Sequence, residues 1–523
     1  MKKSTRIAAV IDIGSNEIKL KIAESGKNGA KPIESIGFPL GLGRDTFQSG
    51  VMDFEKADKA CEIIKNFLLV TQTYGVTRLR AFATTAVREA ENSDYILDQI
   101  KIKTGLRVRI LDDAEEKSYL FKLLAHLINE KQSASDKPAG SSDSSLMVYI
   151  GSGNIGVSFL TEGRISFLRN IRAGSLRIGE LFEAYEEFEF HKIMEEYMAT
   201  FTEPMMADLP PDIKNFIVSG QDIGMIAELC GVKMKDAITE IPKEKFAKLY
   251  RDIKGKSTEK IAADYGIDEF KAEMILPAAC IYQNLLLCTQ AASITASRLL
   301  PCDAVMYELL YPKRFAELDK RYGRNTILSA RALAKRYNAS EKHYTMVNNI
   351  ALNIYDKMKK IHGLGNREKI LLQTAAVLHD IGKYVNIRSH YVYSYELARG
   401  SDIVGLNHGD CETVALVCLY HSEVTPPGTG SISAQYNKLP AGNRVLVSKL
   451  AAILRIADSL DRSHLQKFSP EQVAVAVSDE ALQITVTTEK NIALEQWAFN
   501  AKGRFFQEVF GIKAQVRVKK PKR

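Results

Sequence analysis

The chain has 523 residues, with 71 Lys and Arg against 63 Asp and Glu for a net charge of +8, and it is 46% hydrophobic and 26% charged. Those values describe a globular protein of several domains and exclude disordered, fibrous and collagen-like classes. No apolar run reaches the roughly 18 residues of a membrane helix, and the stretch after Met1-Lys2-Lys3 is interrupted by Asp12, so neither a membrane span nor a signal peptide is expected. The cysteines (Cys61, Cys230, Cys280, Cys288, Cys302, Cys411, Cys418) are scattered without a CxxC pair, which reads as reduced thiols in a cytoplasmic protein.

In chain order, Ile7–Ile11 is an apolar run, Asp12-Ile13-Gly14-Ser15-Asn16 is turn chemistry, and Ile18, Leu20 and Ile22 alternate with polar residues. A helix is predicted over 54–74. A strand at 78–83 leads to a helix at 86–103, and a strand at 106–111 leads to a helix at 114–130. Lys131–Ser145, rich in Ser with Pro and Gly, reads as a connection. The opening pattern then recurs: Leu146–Ile150 is apolar, Gly151-Ser152-Gly153-Asn154 turns, and Ile155, Val157 and Phe159 alternate. A third strand at 216–220 opens a helix near 222–230.

The pattern is helical from about 240 to 465, and short strands follow at 473–477 and 482–486. The basic residues Lys513, Arg517, Lys519, Lys520, Lys522 and Arg523 read as a solvated terminus. No nucleic-acid-binding motif is present, and a homodimer is the default expectation for assembly. The predicted class is α/β plus all-α: α/β domains at 1–130 and 146–305, a helical domain at 306–468, and a small α+β segment at 469–523.

Two related glycine turns in a duplicated frame face each other across a cleft, where backbone N–H groups can cradle phosphate oxygens. The candidates are Gly14, Ser15 and Asn16 on one side and Gly151, Ser152, Gly153 and Asn154 on the other. Asp12 ends the first strand, placed to bind a metal or orient water. Thr84, Thr85 and Arg88 follow a strand and open a helix, a second arrangement suited to an anion. Glu115 and Glu116 stand in the first turn of a further helix.

The ordered set Asp12-x-Gly-Ser-Asn16, Ala83-Thr-Thr-Ala-Val-Arg88, Leu111-x-x-x-Glu115-Glu116 and Gly151-Ser-Gly153 resembles the exopolyphosphatase/guanosine pentaphosphate phosphohydrolase family, whose fold is that of actin and the sugar kinases (ribonuclease-H-like domains). The resemblance implies release of terminal phosphate from inorganic polyphosphate or a phosphorylated guanine nucleotide. It also implies that Glu115 is general base, that Arg88 binds the terminal phosphoryl group, that Ser219-Gly220 is a third phosphate loop, and that Mg²⁺ sits in the cleft. Two positions depart from the family pattern: Tyr149 stands where an aspartate is usual, and Gly156 where a glutamate is usual. No adenosine-binding motif supports a sugar-kinase reading.

Six of the nine histidines fall between 343 and 421. An apolar helix ending in His379-Asp380 offers adjacent nitrogen and oxygen ligands, suited to Mn, Fe, Zn or Mg. With His343 upstream and Asp458 downstream, the pattern resembles the HD-type metal phosphohydrolases, and His390 and His421 are candidates for a second metal. Two further readings stay open: an HD-type hydrolase governed by a polyphosphate- or nucleotide-sensing α/β half, and a binding protein without catalysis.

Overall fold

The apolar run Ile7–Ile13 forms strand β1 and pairs antiparallel with β2 (Glu17–Ser25), which pairs with β3 (Ala30–Pro39). Strand β4 (Arg78–Ala83) lies parallel to β1, and the two-residue β5 (Arg109–Ile110) closes a sheet of order β3-β2-β1-β4-β5. This is a computed structural model, and it describes residues 6–26, 29–134, 144–161, 164–182, 187–207, 209–234, 237–422, 431–478 and 480–521. Positions 135–143 of the predicted Ser-rich connection lie outside them, as do Lys522 and Arg523.

The second sheet repeats the first. Strands β6 (Ser145–Ile150), β7 (Ile155–Thr161) and β8 (Arg164–Ile171) form an antiparallel meander, β9 (Asn215–Gly220) lies parallel to β6, and β11 (Ser293–Ser297) lies parallel to β9. Strand β10 (Ile238–Pro242) adds an antiparallel edge, giving the order β10-β11-β9-β6-β7-β8. The repetition extends to irregularities: β2–β3 shift register after Ile22, and β7–β8 shift after Phe159, which occupy the same place in each unit. Such bulges bend a strand and sharpen its twist, so the copies share curvature as well as order.

Helices cover these sheets for legible reasons. Phe54–Thr73 begins at Asp53, whose side chain accepts from Glu55 N–H, and it buries Ala57, Ala60, Cys61, Ile64 and Phe67 at helical spacing. The helix predicted over 86–103 is two helices, Thr85–Glu89 and Ser93–Thr104, because Ala90 is extended and Asn92 turns its amide to the Met52 backbone. The predicted strand 106–111 keeps only Arg109–Ile110. The region from 240 is not wholly helical: β10 and β11 complete the second sheet, so the β-period of these short segments was missed.

The chain divides into two compact units, Met1–Tyr322 and Gly323–Arg523. The first extends past the boundary expected at 305 because helix Pro301–Leu310 returns to the first sheet. There Asp303 holds Lys21 Nζ at 2.7 Å, and the Tyr311 hydroxyl bridges the backbone of Gly26. The second unit packs helices Glu341–Lys357, Asn366–Leu378, His390–Arg399, His408–Tyr420 and Ala441–Ser459 around one apolar core.

Its three-stranded sheet joins β12 (Val473–Val477), β13 (Ala481–Thr487) and β14 (Lys513–Lys519), with helix Ala493–Phe510 before the last strand. Lys513, Arg517 and Lys519 therefore belong to a strand parallel to β13 and not to a loose terminus. All seven cysteines are free thiols. Among the described residues, no helix is long and apolar enough to cross a membrane.

Candidate functional site

Each glycine turn is a hairpin closed by the same bond. Gly14 N–H donates to Glu17 O at 3.0 Å, and Gly151 N–H donates to Asn154 O at 2.9 Å. The two turns meet in the first unit and line a cleft with Asp12, Glu17, Thr84, Thr85, Glu116, Tyr149, Gln221, Leu300 and Pro301. Gly14, Ser15 and Asn16, Thr84 and Thr85, and Gly151, Ser152, Gly153 and Asn154 are thus brought together, as the duplicated pattern led one to expect. The second turn lies close against the start of the helix Thr85–Glu89: a Cβ on Gly153 would lie 2.7 Å from Thr85 Cγ2. Gln221 spans the cleft, donating to Glu17 Oε1 at 2.6 Å and accepting from Ser152 Oγ at 3.3 Å.

Of the two adjacent glutamates, the structure brings Glu116 and not Glu115 to the cleft. Glu115 does not line the cleft; its carboxylate takes both contacts, at 2.8 Å, from Arg109, itself an exposed side chain. Glu116 lines it instead, and is only 3% exposed. Neighbouring helical residues point about 100° apart, so a shift of one changes the face. Helix Asp113–Ala134 starts where Asp112 Oδ1 accepts from Ala114 N–H. Its buried stripe runs through Leu120, Phe121, Leu124 and Ile128. Glu116 and Lys117 continue that stripe toward the cleft, a periodicity visible in the sequence that could have identified Glu116.

Other expected contacts also differ. Arg88 is absent from the cleft lining, because its guanidinium donates to Leu111 O at 2.6 Å and to Thr85 Oγ1 at 3.0 Å and pairs with Asp113. Ser219 and Gly220 lie outside the lining as well: Ser219 is fully buried and donates to Leu299 O, and Gly220 abuts Ile150 O. The neighbouring Gln221 takes the place at the cleft expected for them.

Two buried carboxylate oxygens in the cleft, Asp12 Oδ1 and Glu116 Oε2, accept no hydrogen bond. Burial, aided by the nearby Glu116 charge and opposed by Lys19, pushes the Asp12 carboxyl up to about 7. Tyr149, at the corresponding place in the second turn, is held well above the usual phenol range by burial and then by Glu116 and Asp12. A resident Mg²⁺ finds a poor donor set here. Glu17 is engaged by Lys19 and Gln221, Glu116 Oε2 lies 3.1 Å from Lys117 Nζ, and Tyr149 supplies no carboxylate. Asp12 alone is left, a single carboxylate, so the protein by itself offers an ion little here and its other ligands would be waters and substrate phosphate oxygens.

The second unit holds a different constellation. His343, His379 and Asp380 form one trio and Asp380, His390 and His421 another, with ligand atoms within 4.8 Å of one another. Asp380 Oδ2 lies 3.5 Å from His343 Nε2 and 3.7 Å from His379 Nε2, while Oδ1 lies 3.6 Å from His390 Nε2 and 4.0 Å from His421 Nε2. Asp458 Oδ1 joins the first trio at 3.3 Å from His343 and 3.5 Å from His379.

Gly382 is needed for this assembly, because a Cβ there would strike His390 O and Ser394 N and hold off the helix that carries His390. Backbone carbonyls fix the rings: His379 Nδ1 meets Ala376 O at 2.9 Å and His390 Nδ1 meets Ile387 O at 3.0 Å. Burial, and then the neighbouring His379, holds His421 well below the usual imidazole range, in the neutral form that ligates metals. Against the cost of burial, hydrogen bonds donated by the His343 ring to Asp458 and Asp461 raise it to about 9.

The sequence reading missed several neighbours of this centre. Asp461 Oδ2 holds His343 Nδ1 at 2.8 Å, and His464 stacks on the His343 ring at 3.6 Å between centroids. Lys383 Nζ and Lys502 Nζ sit on Asp380 Oδ2 and Asp458 Oδ2 at 2.6 and 2.5 Å. His362 is buried and bonded to Tyr355 O at 2.7 Å. Imidazoles and carboxylates gathered in this way are the donor types that suit divalent transition ions, and an ion here would compete with Lys383 and Lys502 for the Asp380 and Asp458 carboxylates.

Comparison with known proteins identifies the family of the chain. Residues 21–308 match the Ppx/GppA phosphatase family, and residues 326–501 match Ppx/GppA phosphatase, domain III. Exopolyphosphatase 1 of Mycobacterium leprae is 34% identical over 113 residues, 21% of this chain and 33% of that protein, so the chain spans about a third of the length of the first curated relatives it matches. The guanosine-5'-triphosphate,3'-diphosphate pyrophosphatase of Pseudoalteromonas translucida is 20% identical over 505 residues, 92% of this chain and 93% of the relative.

An exopolyphosphatase crystal structure from Cytophaga hutchinsonii aligns with a TM-score of 0.52 at 20% identity, over 58% of this chain and 98% of the other. That likeness establishes the paired actin-like α/β fold of the first unit. With its two sheets, its two glycine turns and both matched regions in order, the chain belongs to the Ppx/GppA phosphatase family.

Proposed function

We propose that the first unit is a phosphohydrolase that releases the terminal phosphate of a phosphoanhydride chain, either inorganic polyphosphate or the 5′ end of guanosine pentaphosphate. The observation carrying this reading is the convergence of both glycine turns, Thr84 and Thr85, and the unbonded oxygens of Asp12 and Glu116 in one cleft. Backbone N–H groups and hydroxyls there suit phosphate oxygens, and phosphoryl transfer asks mainly for positioning and charge stabilisation.

Glu116, in place of Glu115, acts as the base. Water attacks the terminal phosphorus as the bridging P–O bond breaks, its proton passes to Glu116, and the shortened chain departs with the bridging oxygen. The names carried by relatives give the two substrate candidates. Phosphate release from long-chain polyphosphate and from guanosine pentaphosphate, compared between wild type and Glu116→Gln, tests the assignment. Equal rates would refute it.

A second reading is supported by a separate observation, the two ligand trios sharing Asp380. In it, His343, His379, Asp380 and Asp458 hold one divalent ion of the Mn, Fe or Zn type, and Asp380, His390 and His421 hold another, as in HD-type hydrolases. Such ions supply Lewis acidity toward a phosphoryl oxygen. Metal analysis of the purified full chain, with His379→Ala for comparison, tests it. A metal-free wild type would refute it.

A further inference from the structure

Lys117 is a lysine with no exposed surface at all. Its Nζ donates to Asn154 Oδ1 at 2.7 Å, lies 3.1 Å from Glu116 Oε2 and 3.7 Å from Asp113 Oδ1, and stands 5.1 Å from the centre of the Tyr149 ring. Glu116, Asn154 and Tyr149 all line the cleft, so the amine lies directly behind its wall. Its stem fills space beside Gly156: a Cβ there would fall 2.5 Å from Lys117 Cγ and 3.2 Å from Cδ. A buried lysine is costly unless paired, and this one is paired with groups that face a phosphate-shaped pocket.

We propose that Lys117 is the resident cation of the cleft, supplying from the protein the fixed positive charge that balances Glu116 and a bound phosphate chain, in place of a protein-held divalent ion. Three features place it in that role. The carboxylates able to ligate an ion in the cleft are reduced to Asp12, since Glu17 and Glu116 already face cations. The second turn offers Tyr149 where the first offers Asp12, and the Lys117 amine faces that ring. The missing side chain at Gly156 is what lets the lysine stem pass.

Lys117 is a positioning residue. It touches no substrate atom; it holds the Asn154 amide and the Glu116 carboxylate in place and adds charge at short range, where a low-dielectric wall leaves it weakly screened. The ligand class it favours is a condensed phosphate chain that enters without a protein-held metal.

This inference rests on reading the cleft as a phosphate-chain site, and two measurements separate the failures. In the full chain carrying His379→Ala and Asp380→Ala, which disable the histidine centre, Mn²⁺ binding is followed by electron paramagnetic resonance. No cleft-bound ion is expected, whereas one ion per chain, displaced by pyrophosphate analogues or lost in Asp12→Asn, would overturn the inference while leaving the cleft reading intact.

Pyrophosphate binding is then measured calorimetrically in chelator. Lys117→Met is expected to weaken it about tenfold, and Lys117→Arg to recover most of the loss. Unchanged affinity in Lys117→Met overturns the inference. Failure of the wild type itself to bind pyrophosphate overturns the cleft reading and this inference together. The Mn²⁺ measurement and Lys117→Arg keep the test decisive where Lys117→Met does not fold.

Discussion

Gly156 and Lys117 occupy one space: the position a Cβ would take on β7 lies 2.5 Å from Cγ of the lysine stem. Adding a methyl group at 156 must displace that stem, and overpacking of this kind costs about 1–3 kcal/mol. Gly156→Ala is therefore expected to destabilise the wild type. In a Lys117→Ala background the same substitution should cost markedly less, because the obstructing atoms are gone. A double-mutant cycle by urea denaturation reads the coupling; additive effects would contradict the shared space.

Glu115 and Glu116 are neighbours in sequence with opposite expected phenotypes. Removing a general base typically costs about 10²–10⁴ in rate. Glu116→Gln is expected to lose phosphate release by at least the lower of those factors while keeping its melting temperature within a few degrees. Glu115→Gln should lose far less of that rate, because its carboxylate meets Arg109 and does not line the cleft. Steady-state phosphate release on either substrate decides between them, and the reverse ordering would restore Glu115 as base.

Asp12 makes stability pH-dependent. Its folded carboxyl sits at about 7 against 3.8 when unperturbed, because burial and the Glu116 charge disfavour ionisation. Between those values the folded chain holds the proton more tightly than the unfolded chain, so stability falls as pH rises from about 4 to about 7 and levels off above. At 1.36 kcal/mol per unit, the ceiling on this loss is about 4 kcal/mol. Asp12→Asn is expected to flatten that slope. Urea midpoints at pH 5 and pH 8 for both proteins check it, and parallel pH profiles would count against it.

The histidine centre makes a prediction about stoichiometry. Asp380 presents one oxygen to each trio, so Asp380→Ala should lose both ions, whereas His379→Ala and His390→Ala should each lose one. Ion content by mass spectrometry of the purified variants checks this. Because an ion binding only the folded state adds stability by mass action, Mn²⁺ should raise the melting temperature of the wild type and leave Asp380→Ala unmoved.

Gly382→Ala separates the trios. The added Cβ would strike His390 O and Ser394 N, pushing away the helix that brings His390 beside His421. The variant is expected to lose the ion at Asp380, His390 and His421 and retain the one at His343, His379, Asp380 and Asp458. Retention of both by metal analysis would show that the second trio does not depend on that close approach.

The sequence alone determined the duplicated α/β unit, since alternating apolar residues and glycine turns at β1–β2 and β6–β7 are local signals that any β-hairpin must carry. It also pointed to the glycine turns and to the members of the histidine cluster that the fold brings together, because turn chemistry and an apolar helix ending in His-Asp are written in consecutive residues. The tertiary structure decided which of two adjacent glutamates enters the cleft: the apolar stripe of Leu120, Phe121 and Leu124 is legible in the sequence, but the cleft at the end of that stripe is made by elements distant in the chain.

It likewise decided that Arg88 and Ser219 are spent on internal bonds, and that Lys117 is buried beside Gly156. Those outcomes depend on which distant side chains arrive at the same place, and that information resides in packing between elements far apart in the chain.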